Sequence, residues 1–125
     1  MEIGGYAGNI LKVNLTTGKI EKEPVSIELV RNFMAGPAGA LRLAYDLIPP
    51  GMDPFAENSP IIYSPGTCVG TFFPSGRTTA AVYKMPMYGT VGWGHVGDDL
   101  GANIKWAGYD FIIITGKSDK PVYLN

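Results

Sequence analysis

The stretch Leu100–Asp119 (LGANIKWAGYDFIIITGKSD) changes its pattern in mid-course, and that change decides the fold class. Leu100, Ile104 and Trp106 mark the inner face of a short helix, which Gly108 stops. From Tyr109 to Thr115 the chain reads as a buried strand, and Gly116-Lys117-Ser118-Asp119 turns it. Pro121 to Leu124 is then expected as a last short strand.

The same contrast recurs upstream. Asn9 to Leu15 (NILKVNL) alternates Ile10, Lys12 and Asn14 with Leu11, Val13 and Leu15, the pattern of a half-buried strand. Thr16-Thr17-Gly18-Lys19 is a turn, and Ile20 to Val25 returns as a polar strand whose Pro24, lacking an N–H, belongs on a sheet edge. Ser26 is placed as the N-cap of a helix carrying Ile27, Val30, Phe33 and Met34 at helical spacing and ending near Gly36-Pro37. A second helix runs from Ala38 through Leu41, Ala44, Tyr45 and Ile48 to the stop at Pro49-Pro50-Gly51. After the proline-bounded loop from Met52 to Pro60, Ile61-Ile62-Tyr63 opens a strand, Ser64 to Gly76 is a long loop, and Thr78 to Tyr83 is strand-like again. Glycines at 89, 92, 94, 97 and 101 read as a glycine-rich turn that opens the helix at Leu100. Strands joined by short turns and irregularly interspersed with short helices indicate α+β, with a mixed, largely antiparallel sheet rather than a doubly wound parallel one.

Ten Lys and Arg against eleven Asp and Glu leave a net charge of −1, which disfavours a nucleic-acid-binding module. With 46% hydrophobic and 17% charged residues, the chain has the apolar material for one globular domain, residues 1–125. The run Phe111-Ile112-Ile113-Ile114 is far short of the roughly 20 residues that span a bilayer, and Met1-Glu2 lacks a basic leader, so the expectation is a cytoplasmic protein with no membrane role. Glycine and proline fill about 22% of the chain against roughly 12% in average usage, which places much of the backbone in turns and close approaches. One cysteine and one histidine exclude an internal disulfide and any iron–sulfur ligation by this chain alone. A serine-based triad would have to recruit His95 without a local signature, so self-contained catalysis is not expected.

Two loops carry the chemistry. Glycines between 89 and 101 would let backbone N–H groups approach an anion, or would serve tight packing against a sheet; both readings stand. Gly92-Trp93-Gly94-His95-Val96-Gly97 fits a dinucleotide pattern literally, but the preceding strand is weak and Asp98-Asp99 would repel a pyrophosphate. Those two carboxylates could bind a cation, but near a helix N-terminus they are expected to stabilise the dipole. Arg77, at the end of the Pro/Gly loop, could grip a phosphate or tie loops together through carbonyls. His95 could donate to a ligand, act as an acid or base, or cap a backbone group. Cys68 has no basic neighbour to activate it and reads as an inert small residue. Phe72, Phe73, Met85, Met87, Trp93 and Trp106 are expected to pack against the sheet or an adjoining protein.

In their order along the chain these segments resemble the N-terminal domain of the tungsten-containing aldehyde ferredoxin oxidoreductases. The most specific match is Lys105-Trp106-Ala107-Gly108-Tyr109-Asp110, followed by the apolar strand and Gly116-Lys117-Ser118-Asp119-Lys120-Pro121-Val122-Tyr123-Leu124. Val13 to Gly18, Gly36 and Gly39, Asp53-Pro54 with Glu57-Asn58, Gly70-Thr71 with Pro74, Lys84 with Pro86, and Gly101-Ala102 support it. The resemblance implies a domain beneath a tungstopterin cofactor, a bis-pterin tungsten or molybdenum group, shared with a partner chain. Arg77, with Gly76 and Thr78, is the counterpart of the family's cofactor-contacting arginine segment. Family members carry P-x-G-G-R with six steps to the next lysine; here one residue fewer separates Pro74 from Arg77, and Lys84 lies seven steps on, so either a bulge restores the spacing or Thr78 fills the slot. His95 takes the position of the family's contacting asparagine and Gly97 that of the glycine two residues later. Ala38 stands where many members have arginine.

The family's iron–sulfur cysteines, second pterin-binding stretch and substrate cavity lie downstream in longer chains, and its N-terminal domain normally continues beyond position 125. The implied function is a cofactor-cradling domain or small subunit of an aldehyde-oxidising enzyme. A larger catalytic chain, or self-association, would complete it, with ferredoxin engaged only indirectly. The alternatives are a non-catalytic carrier or assembly module for the pterin cofactor, and an oligomerising remnant that binds no cofactor.

Overall fold

The computed structural model describes residues 3–97 and 99–124. Asn9–Asn14 (β1) and Lys19–Pro24 (β2) form the expected hairpin, closed by a Gly18 N–H to Asn14 carbonyl bond of 2.8 Å. Ile27–Phe33 (α1) begins at Ser26, whose hydroxyl accepts from the Leu29 N–H at 3.4 Å. It ends three residues earlier than the sequence suggests, because Met34 turns into the left-handed region with φ 63°. Pro37–Leu47 (α2) then starts on proline, whose missing N–H costs nothing at a first helical position.

Ile61–Pro65 (β3), Thr79–Lys84 (β4), Val91–Val96 (β5), Leu100–Trp106 (α3) and Phe111–Thr115 (β6) complete the elements. The six strands form one sheet in the order β2-β1-β6-β3-β4-β5, antiparallel throughout except for the parallel β1–β6 pair. This is the α+β architecture with a mixed, largely antiparallel sheet. One face carries Ile10, Phe111, Ile113, Ile62 and Val82, sealed by α1 and α2 through Val30, Ala40 and Ala44. Close packing there is built into the sequence: a side chain at Gly39 would collide with the Met34 carbonyl and the Phe111 ring. Alternation along the strands puts Leu11, Val13, Ile112, Ile114 and Tyr63 on the opposite face, where among the described helices α3 packs.

Two expected elements are not formed. The glycine-rich segment is not a turn: residues 91–96 pair with β4 over six residues, from Lys84 opposite Val91 to Thr79 opposite Val96. The ladder outweighs the poor strand propensity of its glycines, and Gly92 is where the Met85 side chain lies flat on the strand. Pro121 to Leu124 is irregular rather than a strand. β6 already has neighbours on both sides, β1 and β3, and proline offers no ladder N–H. Trp106 also departs from the inner face of α3: it is 71% exposed and its indole N–H donates to the Gly70 carbonyl at 3.2 Å. Tyr45 on α2 and Phe72 and Phe73 in the loop are exposed too, and the loop pair does not pack on the sheet.

Candidate functional site

β4 and β5 are antiparallel, so the start of one lies beside the end of the other: Thr79 faces Val96 and Ala80 faces His95. The 66–78 loop therefore enters the sheet where β5 leaves it toward Gly97. The Thr78 carbonyl accepts from the Gly66 N–H at 3.0 Å, which brings the exit of β3 to the same end. Gly36, at the head of α2, stands against it, a side-chain carbon there lying 3.4 Å from the Gly66 Cα. The two glycine-bearing loops thus meet at one end of the sheet. Their aromatic residues do not plug it, since Phe72, Phe73 and Trp93 are exposed.

The five candidate residues play different parts. Arg77 is exposed and makes no ion pair among the described residues, which leaves its guanidinium available to an anion. The Arg77 N–H donates to the Ser75 carbonyl at 2.9 Å and the Gly76 N–H to the Phe73 carbonyl at 3.3 Å, so these amides close the loop on itself instead of facing a ligand. Gly76 is explained by packing, because a side-chain carbon would sit 2.5 Å from the Cys68 carbonyl oxygen where the loop's two limbs cross. Thr78 is exposed, and its carbonyl accepts from Gly66 just beyond β3. His95 is exposed and shares the α2 side of the sheet with Ala80, whereas Gly94 lies on the other side.

Gly94 and Gly97 are different. Neither has a positive φ, and a side-chain carbon on either would meet nothing within 4 Å. The fold itself does not require glycine at these positions, and the absence of side chains leaves the backbone open to close approach. An exposed guanidinium at the same end of the sheet as the bare main chain of Gly97 suits an anionic ligand. Asp99 takes the N-cap position of α3 without a side-chain cap bond, and Asp98 lies outside the described residues. Among the described residues no three His, Cys, Asp or Glu side chains gather as metal ligands. No helix among them is long and apolar enough to cross a membrane.

Sequence reading missed a buried polar cluster beside this site. Asp110 is fully buried; its carboxylate accepts from the Ala7 N–H at 3.0 Å and the Gly8 N–H at 2.6 Å, and pairs with Lys105 Nζ at 3.1 Å. Lys105 also donates to the Gly5 carbonyl and lies 5.1 Å from the centre of the Tyr6 ring. The Tyr6 hydroxyl is bonded to Thr67 Oγ1 at 3.0 Å. Ser64 joins the cluster to α2, donating to the Asp110 carbonyl and accepting from the Gly36 N–H. The available signal was an aspartate directly ahead of a buried strand, a position a carboxylate occupies only with partners.

Residues 10–125 match the family model of the aldehyde ferredoxin oxidoreductase N-terminal domain. Over 120 residues, 96% of this chain, it is 36% identical to a tungsten-containing aldehyde ferredoxin oxidoreductase of Pyrococcus abyssi and 34% identical to that of Pyrococcus furiosus. It is 31% identical over 122 residues to the WOR-like subunit of an aliphatic sulfonate oxidoreductase of Pyrococcus furiosus. A solved structure, the active site complex BamBC of benzoyl coenzyme A reductase with 1,5-dienoyl-CoA, superimposes with a TM-score of 0.94 at 28% identity, covering 97% of this chain and 18% of that one. The chain spans about a fifth of the length of the curated relatives it matches. It belongs to the aldehyde ferredoxin oxidoreductase family, as an N-terminal domain.

Proposed function

We propose that this chain cradles the pterin cofactor of a tungsten or molybdenum oxidoreductase, as a domain or small subunit completed by a larger catalytic polypeptide. The observation that supports this reading is the meeting of the 66–78 loop and the β5 exit at one end of the sheet, with Arg77 exposed two residues ahead of Thr79, whose partner Val96 precedes the bare backbone of Gly97. Arg77 would neutralise a pterin phosphate, His95 would donate an N–H in the position of the family's contacting asparagine, and Gly97 would let the ring system lie against main chain. When bound, the metal–pterin group supplies two-electron oxidation of an aldehyde, with ferredoxin as the eventual acceptor. The single cysteine leaves cluster ligation to other polypeptide. The relatives' names support a cradle rather than a substrate pocket, since one domain recurs in proteins named for aldehydes, sulfonates and benzoyl coenzyme A.

Arg77→Ala tests the reading. Loss of a charge-assisted contact should weaken cofactor retention by about 1–3 kcal/mol, seen as lower tungsten or molybdenum and pterin per chain in anaerobically purified protein. Undiminished content rejects the assignment.

A further inference from the structure

We infer that Tyr6, clamped by the buried Lys105–Asp110 pair, is a positioning residue that sets the 66–78 loop and through it the guanidinium of Arg77. The inference rests on the cofactor-cradling reading of Arg77.

The clamp is covalently remote from the loop and physically continuous with it. Asp110 holds the Ala7 and Gly8 amides and Lys105 holds the Gly5 carbonyl, so residues on both sides of Tyr6 are pinned by groups that are 0% and 7% exposed. Between those pins the Tyr6 hydroxyl meets Thr67, and Gly5 presses on the same residue, a side-chain carbon there falling 2.9 Å from Thr67 Cγ2. Thr67 is followed by Cys68, whose carbonyl accepts from the Thr71 hydroxyl at 2.7 Å and occupies the space against Gly76. The loop's outgoing and returning limbs touch at that point, one residue from Arg77. Displacement of Thr67 is therefore passed through Cys68 and Gly76 to the arginine. The indole of Trp106, holding the Gly70 carbonyl, fixes the far bend, so the 67–68 limb is what Tyr6 controls.

Stability and positioning separate by experiment in the holoenzyme that contains this chain. Tyr6→Phe keeps the ring beneath Lys105 and removes only the hydroxyl. Hydrogen exchange at the amides between Cys68 and Arg77 is expected to quicken about fivefold while β6 is unchanged, and tungsten retained after dialysis to fall by a similar factor. Thr67→Ser, which preserves the hydroxyl, is expected to behave as the parent. Tyr6→Phe combined with Arg77→Ala should retain as much metal as Arg77→Ala alone, because both act on one contact. Unchanged loop exchange in Tyr6→Phe, or losses that add in the double variant, overturns the positioning role. If Arg77→Ala retains its metal, the cradle reading falls and this inference with it; if Arg77→Ala loses metal and Tyr6→Phe does not, only the positioning role falls.

Discussion

At Asp110 a carboxylate with no exposed surface is tolerated because every side of it is answered: two backbone amides, one ammonium, and no solvent. Such pairs contribute little net stability over an apolar substitute, yet breaking one leaves the other charge stranded. Asp110→Ala is therefore expected to destabilise the chain by about 3–5 kcal/mol in urea unfolding, since Lys105 keeps its 7% exposure and loses its counter-charge. A loss below about 1 kcal/mol would show that residues 5–8 are held by something else. The residue types were legible as part of a family motif, but their use was not. The two amides that Asp110 accepts from lie more than 100 positions away in sequence, and no local period links them to it.

The two edges of the sheet are built on opposite plans. β2 carries Lys19, Glu21, Lys22, Glu23 and Pro24, a blunted edge on which Lys19 bonds Glu21 at 2.8 Å and holds its carboxyl below the ordinary value. β5 has no Lys, Arg, Asp, Glu or proline and carries two glycines. Gly94→Ala should leave the stability of the 125-residue chain unchanged or raise it by up to about 1 kcal/mol, because a strand glycine costs entropy and the site is open. Gly39→Ala in α2, with a carbon forced to 2.9 Å from the Phe111 ring, should cost about 1–3 kcal/mol. Thermal unfolding of both variants checks the pair; a Gly94→Ala loss as large as that of Gly39→Ala would mean that the fold, not a ligand, demands the glycine.

Over the whole molecule, one sheet face is sealed by α1 and α2 while the other keeps an apolar groove of about 670 Å³ lined by Leu11, Val13, Tyr63, Ile112, Ile114 and Leu124. On the proposed reading, this is the surface on which the larger polypeptide would dock. Ile20, at its rim and 67% exposed, is the probe: Ile20→Lys should change the stability of the chain by no more than about 0.5 kcal/mol while weakening association with the larger polypeptide, measured by co-purification. Equal recovery of that polypeptide would place the contact elsewhere. Periodicity, turn residues and caps determined the β1–β2 hairpin, the three helices, β6 and the fold class, because each depends on neighbours within a few residues. Only the tertiary structure decided that the glycines from 91 to 96 extend as an edge strand, that residues 121–124 have no sheet partner, and that two loops meet at one end of the sheet. Those outcomes follow from which strand finds a free edge and which register its ladder takes, and both are set by contacts between distant parts of the chain.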